Sequence, residues 1–506
     1  METDFLLFDL KQNRIPPEAR DRGTDLRAGY LLDAMADGDA FVRSACEQVM
    51  AFPMTELTDL KARQEVMACA IYHQDFFEGA YAICRSAMTE TETLREYIHP
   101  RFDKIVSTPV KITNAIKMAE VLIDKMEVLQ VLMAKVWEAL PSPCLKTALD
   151  TVGKQYVPPE LAAARDRLGA LSALVRGGGV ILSARLGRGL KAVDCILNRV
   201  IPNKSEKSKR LAARMMGAAS AEGKYVRIEL DQLILVNNAE ELAHAALLPV
   251  LRTVSRYVDG LLKTFEPLQF RFAFFLGCIR LYRRLEALGL PVCFPQLEGS
   301  DRMYEASGLY DPGLALSESK KPTGNTIRLE GKRLWVVTGP NQGGKTTFLR
   351  SVGLAQWMTQ CGMFVPALSM RCGVYTGILT HFPLAEDISM KNGLLEAELK
   401  KLDKTVSRLR PGAMLLMNEA FSTTVPGEAS RIAREVTDAL REAGVTVLFV
   451  THLYAFAREL YDQAPEDTVF FKAQRVRDGS RSFLIAEGEP ETTSYADDIF
   501  DEVMEA

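Results

Sequence analysis

Apolar positions in the first 290 residues recur at helical spacing. One apolar face is formed by five residues that alternate spacings of four and three: Ile112, Ile116, Ala119, Ile123 and Met126. We expect the helix with this face to end before Pro141. Two further long helical patterns run from 240 to about 263 and from 268 to 288, and Gly289 closes the second. The pattern predicts an all-α region over residues 1–290 that folds as a packed bundle.

Two short stretches within this region are not simple helical stripes. Residues 224–230 alternate polar and apolar side chains like a strand, which fits either an edge hairpin or a small insertion. Residues 270–275 are rich in phenylalanine, and we interpret them as core packing.

Beyond residue 290, the apolar residues come in short runs. Residues 334–337, 413–417 and 445–450 are almost entirely apolar, as in parallel strands that are covered on both faces. A helix-like stretch, 348–357, follows the first run. The pattern predicts an α/β domain over residues 291–506.

A glycine-rich loop joins the first apolar run to this helix. Its residues are Gly339, Pro340, Asn341, Gln342, Gly343, Gly344, Lys345, Thr346 and Thr347. Glycines let backbone N–H groups turn toward a triphosphate, the lysine reaches the β and γ phosphates, and the Thr346 hydroxyl can ligate Mg²⁺. The helix N-terminus adds partial positive charge. The alternative, a glycine turn without a ligand, is disfavoured by the buried strand before Gly-Gly-Lys-Thr.

The second apolar run ends in Asn418 and Glu419. In ATPases with a phosphate-binding loop, this strand end holds Mg²⁺ and the residue that polarises the attacking water. Glu419 is therefore the candidate general base, although a solvated carboxylate at a strand end is the alternative. Aspartate is usual at position 418; asparagine keeps an acceptor oxygen but loses the charge, so we expect weaker Mg²⁺ binding and slower turnover.

The third apolar run ends in Thr451 and His452. A strand that brings a histidine to the same sheet edge can place His452 near the γ-phosphate as a sensor. A single histidine after a strand is more often structural, but its order after the other two motifs favours function. The other four histidines show no metal-ligand spacing.

The chain resembles the MutS family of mismatch-repair ATPases over residues 325–456. In the loop Thr338–Thr347, an asparagine after Gly-Pro is typical of that family. Further matches follow in chain order: Gly362–Ala367, Glu386-Asp387, Leu416–Glu419 and Val450–His452. The resemblance implies an α/β P-loop ATPase domain of ABC type that uses ATP and Mg²⁺, preceded by a helical core and lever region.

The resemblance also implies an assembly. In the family, two ATPase domains sandwich ATP, and a signature loop of one subunit touches the nucleotide of the other. We therefore expect a homodimer formed through the ATPase domains. The corresponding loop here is Ser389–Leu394, with Gly393 where the family has a serine, and Phe421–Thr423 replaces a glycine-containing turn. Together with Asn418, these departures mark a divergent branch and affect the expected hydrolysis rate more than nucleotide binding.

Mismatch-recognising relatives carry a separate N-terminal domain with a Phe-x-Glu wedge. Only about 330 residues precede the phosphate loop, and they have a helical pattern almost from the start. We find no room for that domain and do not expect direct mismatch recognition.

The composition is ordinary for a globular protein, with 506 residues, 47% hydrophobic and 25% charged, and a net charge of −3. The N-terminus has no signal-peptide pattern and no apolar run approaches membrane-spanning length, so we expect a cytoplasmic protein without a membrane partner. Nine cysteines are scattered without a C-x-x-C pair. Reduced core thiols are favoured over a metal or disulfide framework.

Positive charge is concentrated over residues 160–214. This segment has twelve Lys or Arg and four Asp or Glu, which gives a local balance of +8. Such a segment could contact DNA phosphates, while the alternative is a solvated helix face. The resemblance favours DNA, duplex or branched, with a reduced clamp within about 160–235. The candidate DNA-binding residues are Arg199, Lys204, Lys207, Lys209 and Arg210.

The sequence therefore predicts a MutS-like protein that binds ATP, hydrolyses it slowly and binds DNA in mismatch repair or recombination. The alternative is a nucleotide-gated dimeric interaction protein with little ATPase activity and no direct DNA binding. A transporter ATPase subunit is disfavoured, because the chain lacks the Leu-Ser-Gly-Gly-Gln signature and has helices fused ahead of the ATPase domain.

Overall fold

The computed structural model describes residues 14–98, 106–175, 179–186, 192–201, 232–300, 302–318, 321–383, 393–475 and 481–491. It divides into two compact units. The first comprises Met1–Phe77, Leu140–Leu145 and Phe270–Ala506, and the second comprises Glu78–Ala139 and Lys146–Gln269.

Helices occupy most of the described residues up to 175, as the helical periodicity predicts. They are α1 (Pro17–Asp25), α2 (Gly29–Ala36), α3 (Ala40–Ala51), α4 (Leu57–Tyr72), α5 (Gln74–Ile98), α6 (Thr108–Val136), α7 (Pro143–Gln155) and α8 (Pro158–Val175). The five apolar residues predicted to share a face of α6 are all buried, and the helix ends before Pro141. Helix α6 packs against α8, where Arg165 pairs with Asp124 and Glu127.

One antiparallel hairpin interrupts the helical region, and the periodicity did not predict it. Strand β1 (Gly179–Leu186) pairs with β2 (Ala192–Ile201), with Gly179 opposite Ile201. Both strands are rich in Val, Ile and Leu, which suit a pleated surface. The strand predicted at 224–230 lies outside the described residues.

Helix α9 (Gln232–Ala287) corrects the prediction of two separate helices. It is one continuous helix of 56 residues that contains Pro249 and Pro267. Each proline removes one backbone hydrogen bond and tends to kink a helix, so local propensity favours a break. Burial of Phe265 and Leu268 on either side of Pro267 favours continuation, because a break there would expose apolar surface.

The predicted end of this helical segment is confirmed. Gly289 has a φ of +66°, and the N–H of Leu290 donates to the carbonyl of Leu285 at 3.1 Å. This is the reversal in which a glycine with positive φ lets the chain leave the last helical turn.

The phenylalanines of residues 270–275 are core residues, as expected. Phe272, Phe274 and Phe275 are fully buried, and Phe272 makes edge-to-face contacts with Phe76 and Phe77. Eight of the nine cysteines, all except Cys195, are free thiols, and six of these eight are buried.

A mixed α/β region follows and belongs to the first unit. Its strands are β3 (Gln296–Glu298), β4 (Met303–Leu309), β5 (Asn325–Glu330), β6 (Leu334–Thr338), β7 (Ser369–Gly373), β8 (Ile378–His381), β9 (Met414–Asn418), β10 (Thr446–Val450), β11 (Thr468–Arg475) and β12 (Arg481–Glu487). Its helices are α10 (Pro312–Glu318), α11 (Lys345–Gln360), α12 (Leu394–Val406), α13 (Pro426–Glu442) and α14 (Tyr454–Gln463).

These strands form two sheets. The larger has six strands in the order β12-β11-β6-β10-β9-β8, and all neighbours in it are parallel except β11 and β12. The smaller has the order β3-β7-β4-β5. Strands β6, β9 and β10 are buried at every position, as their apolar runs predict, and α13 and α14 supply part of the core beside them. Because these three strands are parallel neighbours, their carboxyl ends meet at one edge of the sheet.

Within the described ranges, none of the helices combines the length and the apolar composition that crossing a membrane requires.

Candidate functional site

The glycine loop lies between the buried strand β6 and the start of α11. Gly339 has a φ of +128° and Gly344 a φ of +91°, conformations that side chains with a Cβ rarely adopt. Gly344 is also the N-cap of α11: it supplies no side-chain cap, and its carbonyl oxygen accepts the N–H of Phe348 at 2.8 Å. A helix N-terminus without a side-chain cap is the kind of place where an anion can bind, and the phosphate-binding role of the loop stays a prediction.

The loop lies close to strand β11. A Cβ added to Gly339 or Gly343 would come within 3.1 Å and 3.0 Å of the Ala473 side chain. Glycine at these positions therefore serves close backbone packing as well as conformation. The sequence pattern offered no indication of this neighbour.

The Lys345 side chain folds back over the loop. Its Nζ donates to the carbonyl oxygens of Gly339 at 2.7 Å and Pro340 at 2.9 Å. Burial lowers the pKa of Lys345 to about 8, although the nearby Glu419 carboxylate acts in the opposite direction. The ammonium group is thus held at the loop by oxygens that a phosphate group can replace.

Thr346 and Asn418 meet at the sheet edge. The Thr346 hydroxyl donates to Oδ1 of Asn418 at 3.0 Å, and Asn418 is 8% exposed at the end of β9. A hydroxyl and an amide oxygen are hard oxygen ligands of the kind that Mg²⁺ accepts, so the pair fits the metal role predicted for both residues.

Glu419 and His452 also form a pair. Nε2 of His452 lies 2.8 Å from Oε1 of Glu419, and an ionised carboxylate can only accept, so this contact requires a proton on Nε2. The hydrogen bond from His452 is the largest effect that lowers the pKa of Glu419, and the charge of Lys345 adds to it. The backbone N–H of Glu419 donates to the carbonyl oxygen of Val450 at 2.7 Å, and this hydrogen bond holds the ends of β9 and β10 together.

A cavity of about 430 Å³ lies over the glycine loop. The predicted residues that line it are Asn341, Gln342, Gly343, Gly344, Lys345, Thr346, Thr347 and Glu419. The sequence reasoning missed the other lining residues, among them Tyr310, Asp311, Asn325 and Phe483. These four come from three other parts of the chain, and no local motif marks them. A positive φ of 55° at Phe483 is unusual, but it is visible only in the structure.

Two groups of predicted residues lie largely outside the described residues. Of the DNA-binding candidates, only the backbone of Arg199 is described, on β2, while Lys204, Lys207, Lys209 and Arg210 lie outside the described residues. Of the loop predicted to match the family's signature, residues 389–392 also lie outside them. Gly393 is described and forms the N-cap of α12.

Together, these elements define a protein with a helical region followed by a mixed α/β region, whose parallel strands deliver polar residues to a glycine loop. Two family models match the chain: MutS2 N-terminal domain over residues 55–288 and MutS domain V over residues 335–484. The chain belongs to the MutS family, as its resemblance predicted.

Individual relatives show the same similarity at low identity. A DNA mismatch repair protein MutS of Chloroflexus aurantiacus is 30% identical over 193 residues, which cover 37% of this chain and 20% of the relative. An endonuclease MutS2 of Lacticaseibacillus casei is 32% identical over 146 residues, which cover 28% of this chain and 19% of the relative. A DNA mismatch repair protein MutS 2 of Halobacterium salinarum is 28% identical over 183 residues, which cover 36% of this chain and 21% of the relative. The matched part spans about a fifth of each relative.

Proposed function

We propose that this protein is an ABC-type P-loop ATPase that binds and slowly hydrolyses ATP with Mg²⁺ and binds DNA in mismatch repair or recombination. The observation that carries the proposal is the convergence of Thr346, Asn418, Glu419 and His452 at the carboxyl ends of three adjacent parallel strands. Phosphoryl transfer needs mainly positioning and electrostatic stabilisation, and this edge supplies residues for both.

Each residue of the site has a proposed role that follows from its chemistry. The loop amides and Lys345 bind the phosphates, and Lys345 exchanges its contacts with the Gly339 and Pro340 carbonyls for phosphate oxygens. Glu419, kept ionised by His452, orients and deprotonates the attacking water. His452 remains near the γ-phosphate as a sensor of its presence.

Thr346 and Asn418 are the residues that would hold Mg²⁺. When bound, the ion neutralises charge that develops on the phosphate oxygens. Asn418 contributes an oxygen without a negative charge, which is why we propose slow turnover.

The DNA and dimer parts of the proposal have different support. The relatives' names refer to DNA mismatch repair, and the +8 balance over residues 160–214 provides charge that could meet phosphates. Dimerisation through the ATPase domains follows from the family's arrangement, in which each subunit completes the nucleotide site of the other.

Separate measurements of ATP binding and hydrolysis test the proposal. The unaltered chain should bind ATP and hydrolyse it only when Mg²⁺ is present, while EDTA should stop hydrolysis. Glu419→Gln should keep nucleotide affinity within about twofold and lower kcat at least about a hundredfold, the scale of losing a general base. Equal hydrolysis by the two proteins would disprove the role of Glu419, and failure of the unaltered chain to bind ATP would disprove the function.

A further inference from the structure

The turn after β9 has an unusual backbone. Glu419 has a φ of +49° and Phe421 a φ of +68°, both in the left-handed region that residues with a Cβ adopt only under constraint. This turn orients Glu419, so whatever holds it also sets the position of the Glu419 carboxylate.

A buried carboxylate from α12 holds this turn. Glu398 is 4% exposed, and its Oε1 accepts the Phe421 N–H at 2.8 Å, while its Oε2 accepts the Thr423 hydroxyl at 3.2 Å. Phe421 is fully buried in the core beside β9. The turn is thus fixed from two sides. The Phe421 ring packs in the core, and Glu398 of α12 accepts hydrogen bonds from the Phe421 backbone and the Thr423 side chain.

The end of β8 lies against the same carboxylate. Nε2 of the fully buried His381 is 3.7 Å from Oε1 of Glu398, and within the described part of the chain neither ring nitrogen of His381 has a hydrogen-bond partner. Burial acts to raise the pKa of Glu398, but His381 and the hydrogen bonds from Phe421 and Thr423 outweigh it and lower that pKa overall. Glu398 is therefore a buried carboxylate whose ionised form the surrounding residues stabilise.

We propose that Glu398 is a positioning residue for Glu419, and that it couples the start of α12 to the catalytic turn. Helix α12 begins at Leu394, the last residue of the predicted signature loop Ser389–Leu394, and Gly393 is its N-cap. Glu398 lies five residues further on, so a displacement at the start of the helix moves the carboxylate that holds Phe421. The inference rests on the proposed function, because a positioned Glu419 matters only if the chain hydrolyses ATP.

The test compares kcat, KM and nucleotide affinity of the full chain for four variants. Glu398→Ala leaves the Phe421 N–H without its acceptor, so kcat should fall by about tenfold or more through misplacement of Glu419. The phosphate loop is untouched, so KM and the affinity for a non-hydrolysable ATP analogue should stay within about twofold. Glu398→Gln keeps an acceptor oxygen for Phe421 and should restore most of kcat.

Glu396→Ala is the matched control, because it removes an exposed carboxylate two residues away on the same helix, where Glu396 pairs with Lys400. Its kcat should match that of the unaltered chain.

If Glu398→Ala fails to fold, Thr423→Ala provides the test, because Thr423 is exposed and its replacement removes only one hydrogen bond. Its kcat should fall by about twofold to fivefold at unchanged KM, since one of the two hydrogen bonds that fix the turn remains.

Two results would overturn the positioning role while leaving the proposed function intact. The first is normal kcat in folded Glu398→Ala, or in Thr423→Ala if the first variant does not fold. The second is a parallel loss of kcat and nucleotide affinity in Glu398→Ala, because that is the signature of a general structural defect. Absence of hydrolysis by the unaltered chain would overturn the proposed ATPase activity and the positioning role together.

Discussion

The Thr346 hydroxyl donates a hydrogen bond to Oδ1 of Asn418 across a distance of 3.0 Å. Thr346 lies in the first turn of the helix after the glycine loop, and Asn418 is the last residue of strand β9. Their two oxygens occupy the place where the proposed function needs a divalent cation, but neither carries a formal charge.

Asn418→Asp should therefore raise turnover. Aspartate keeps the acceptor for Thr346 and adds the negative charge that Mg²⁺ prefers in a ligand. We expect a higher kcat and half-maximal activity at a lower Mg²⁺ concentration, measured by steady-state hydrolysis over a Mg²⁺ titration. Asn418→Ala, which removes the oxygen, should shift the Mg²⁺ dependence the other way. An unchanged or lower kcat in Asn418→Asp would argue against Asn418 as the limiting residue.

Lys345→Ala should abolish nucleotide binding. The variant removes the ammonium group that now contacts the Gly339 and Pro340 carbonyls and that the proposal assigns to the phosphates. Titration with a fluorescent ATP analogue should show a loss of affinity of at least about a hundredfold, the scale of losing a buried charged partner. Lys400→Ala, an exposed lysine on α12, is the control and should bind normally. Retained affinity in Lys345→Ala would refute the phosphate site.

Nucleotide affinity should fall as the pH rises above about 8. Burial lowers the pKa of Lys345 to about 8 in the nucleotide-free protein, so the ammonium group loses its charge above that pH. Phosphates favour the charged form, and affinity for a non-hydrolysable analogue should drop by up to about tenfold per pH unit. In Lys345→Arg the guanidinium stays charged, so its affinity should not show this decline. A fall of equal steepness in both proteins would place the titrating group elsewhere.

The same pKa has a consequence for stability. The folded chain releases the Lys345 proton at about pH 8, whereas the unfolded chain holds it up to about the ordinary lysine pKa of 10.5. Between these values the unfolded state binds more protons. The contribution of Lys345 to the free energy of unfolding therefore rises with pH in that window.

Two glycines of helix α9 should respond oppositely to alanine. A Cβ at Gly277 would lie 2.5 Å from Sγ of Cys46 and 3.3 Å from Cβ of Met35, whereas a Cβ at Gly260 meets nothing within 4 Å. Gly277→Ala should lower the free energy of unfolding by about 1–3 kcal/mol through overpacking. Gly260→Ala should raise it by about 0.5–1 kcal/mol, because alanine suits a helix interior. Urea denaturation measures both, and a shift of the same sign in both would contradict the close packing at Gly277.

DNA binding should depend steeply on salt and on the basic segment. Replacing Lys204, Lys207, Lys209 and Arg210 with glutamine should weaken binding to duplex and four-way-junction DNA. The slope of log K against log salt should flatten by about 0.9 for each phosphate that the variant no longer neutralises. Glutamine at Lys117 and Lys135, exposed lysines of α6, is the control and should leave binding unchanged. No binding by the unaltered chain at low salt, with or without ATP, would favour the nucleotide-gated interaction protein.

Local chemistry made much of the fold predictable from the sequence. The buried strands β6, β9 and β10 are short because their apolar runs are short. The loop after β6 contains Gly339 and Gly344 at positions of positive φ, which residues with a Cβ rarely adopt. The α6 face was readable because the helical repeat places every third or fourth residue on one side. The predicted domain boundary near residue 290 stays a prediction.

Other elements depended on forces that local patterns do not contain. Helix α9 continues through Pro249 and Pro267 because packing outweighs the local preference to break. The hairpin of β1 and β2 arose in a segment whose most visible property in the sequence is its charge. Glu398 was missed because a glutamate on an amphipathic helix looks solvent-exposed until the turn it contacts is known.

The sequence by itself determined the order of the chemical groups: a glycine loop, an amide and carboxylate pair, and a histidine, each directly after a buried strand. Only the tertiary structure decided which of them touch. Thr346 and Asn418 are 72 residues apart in the chain, and Glu419 and His452 are 33 apart. They meet because β6, β10 and β9 lie side by side and parallel, and the order of strands in a sheet follows from long-range packing.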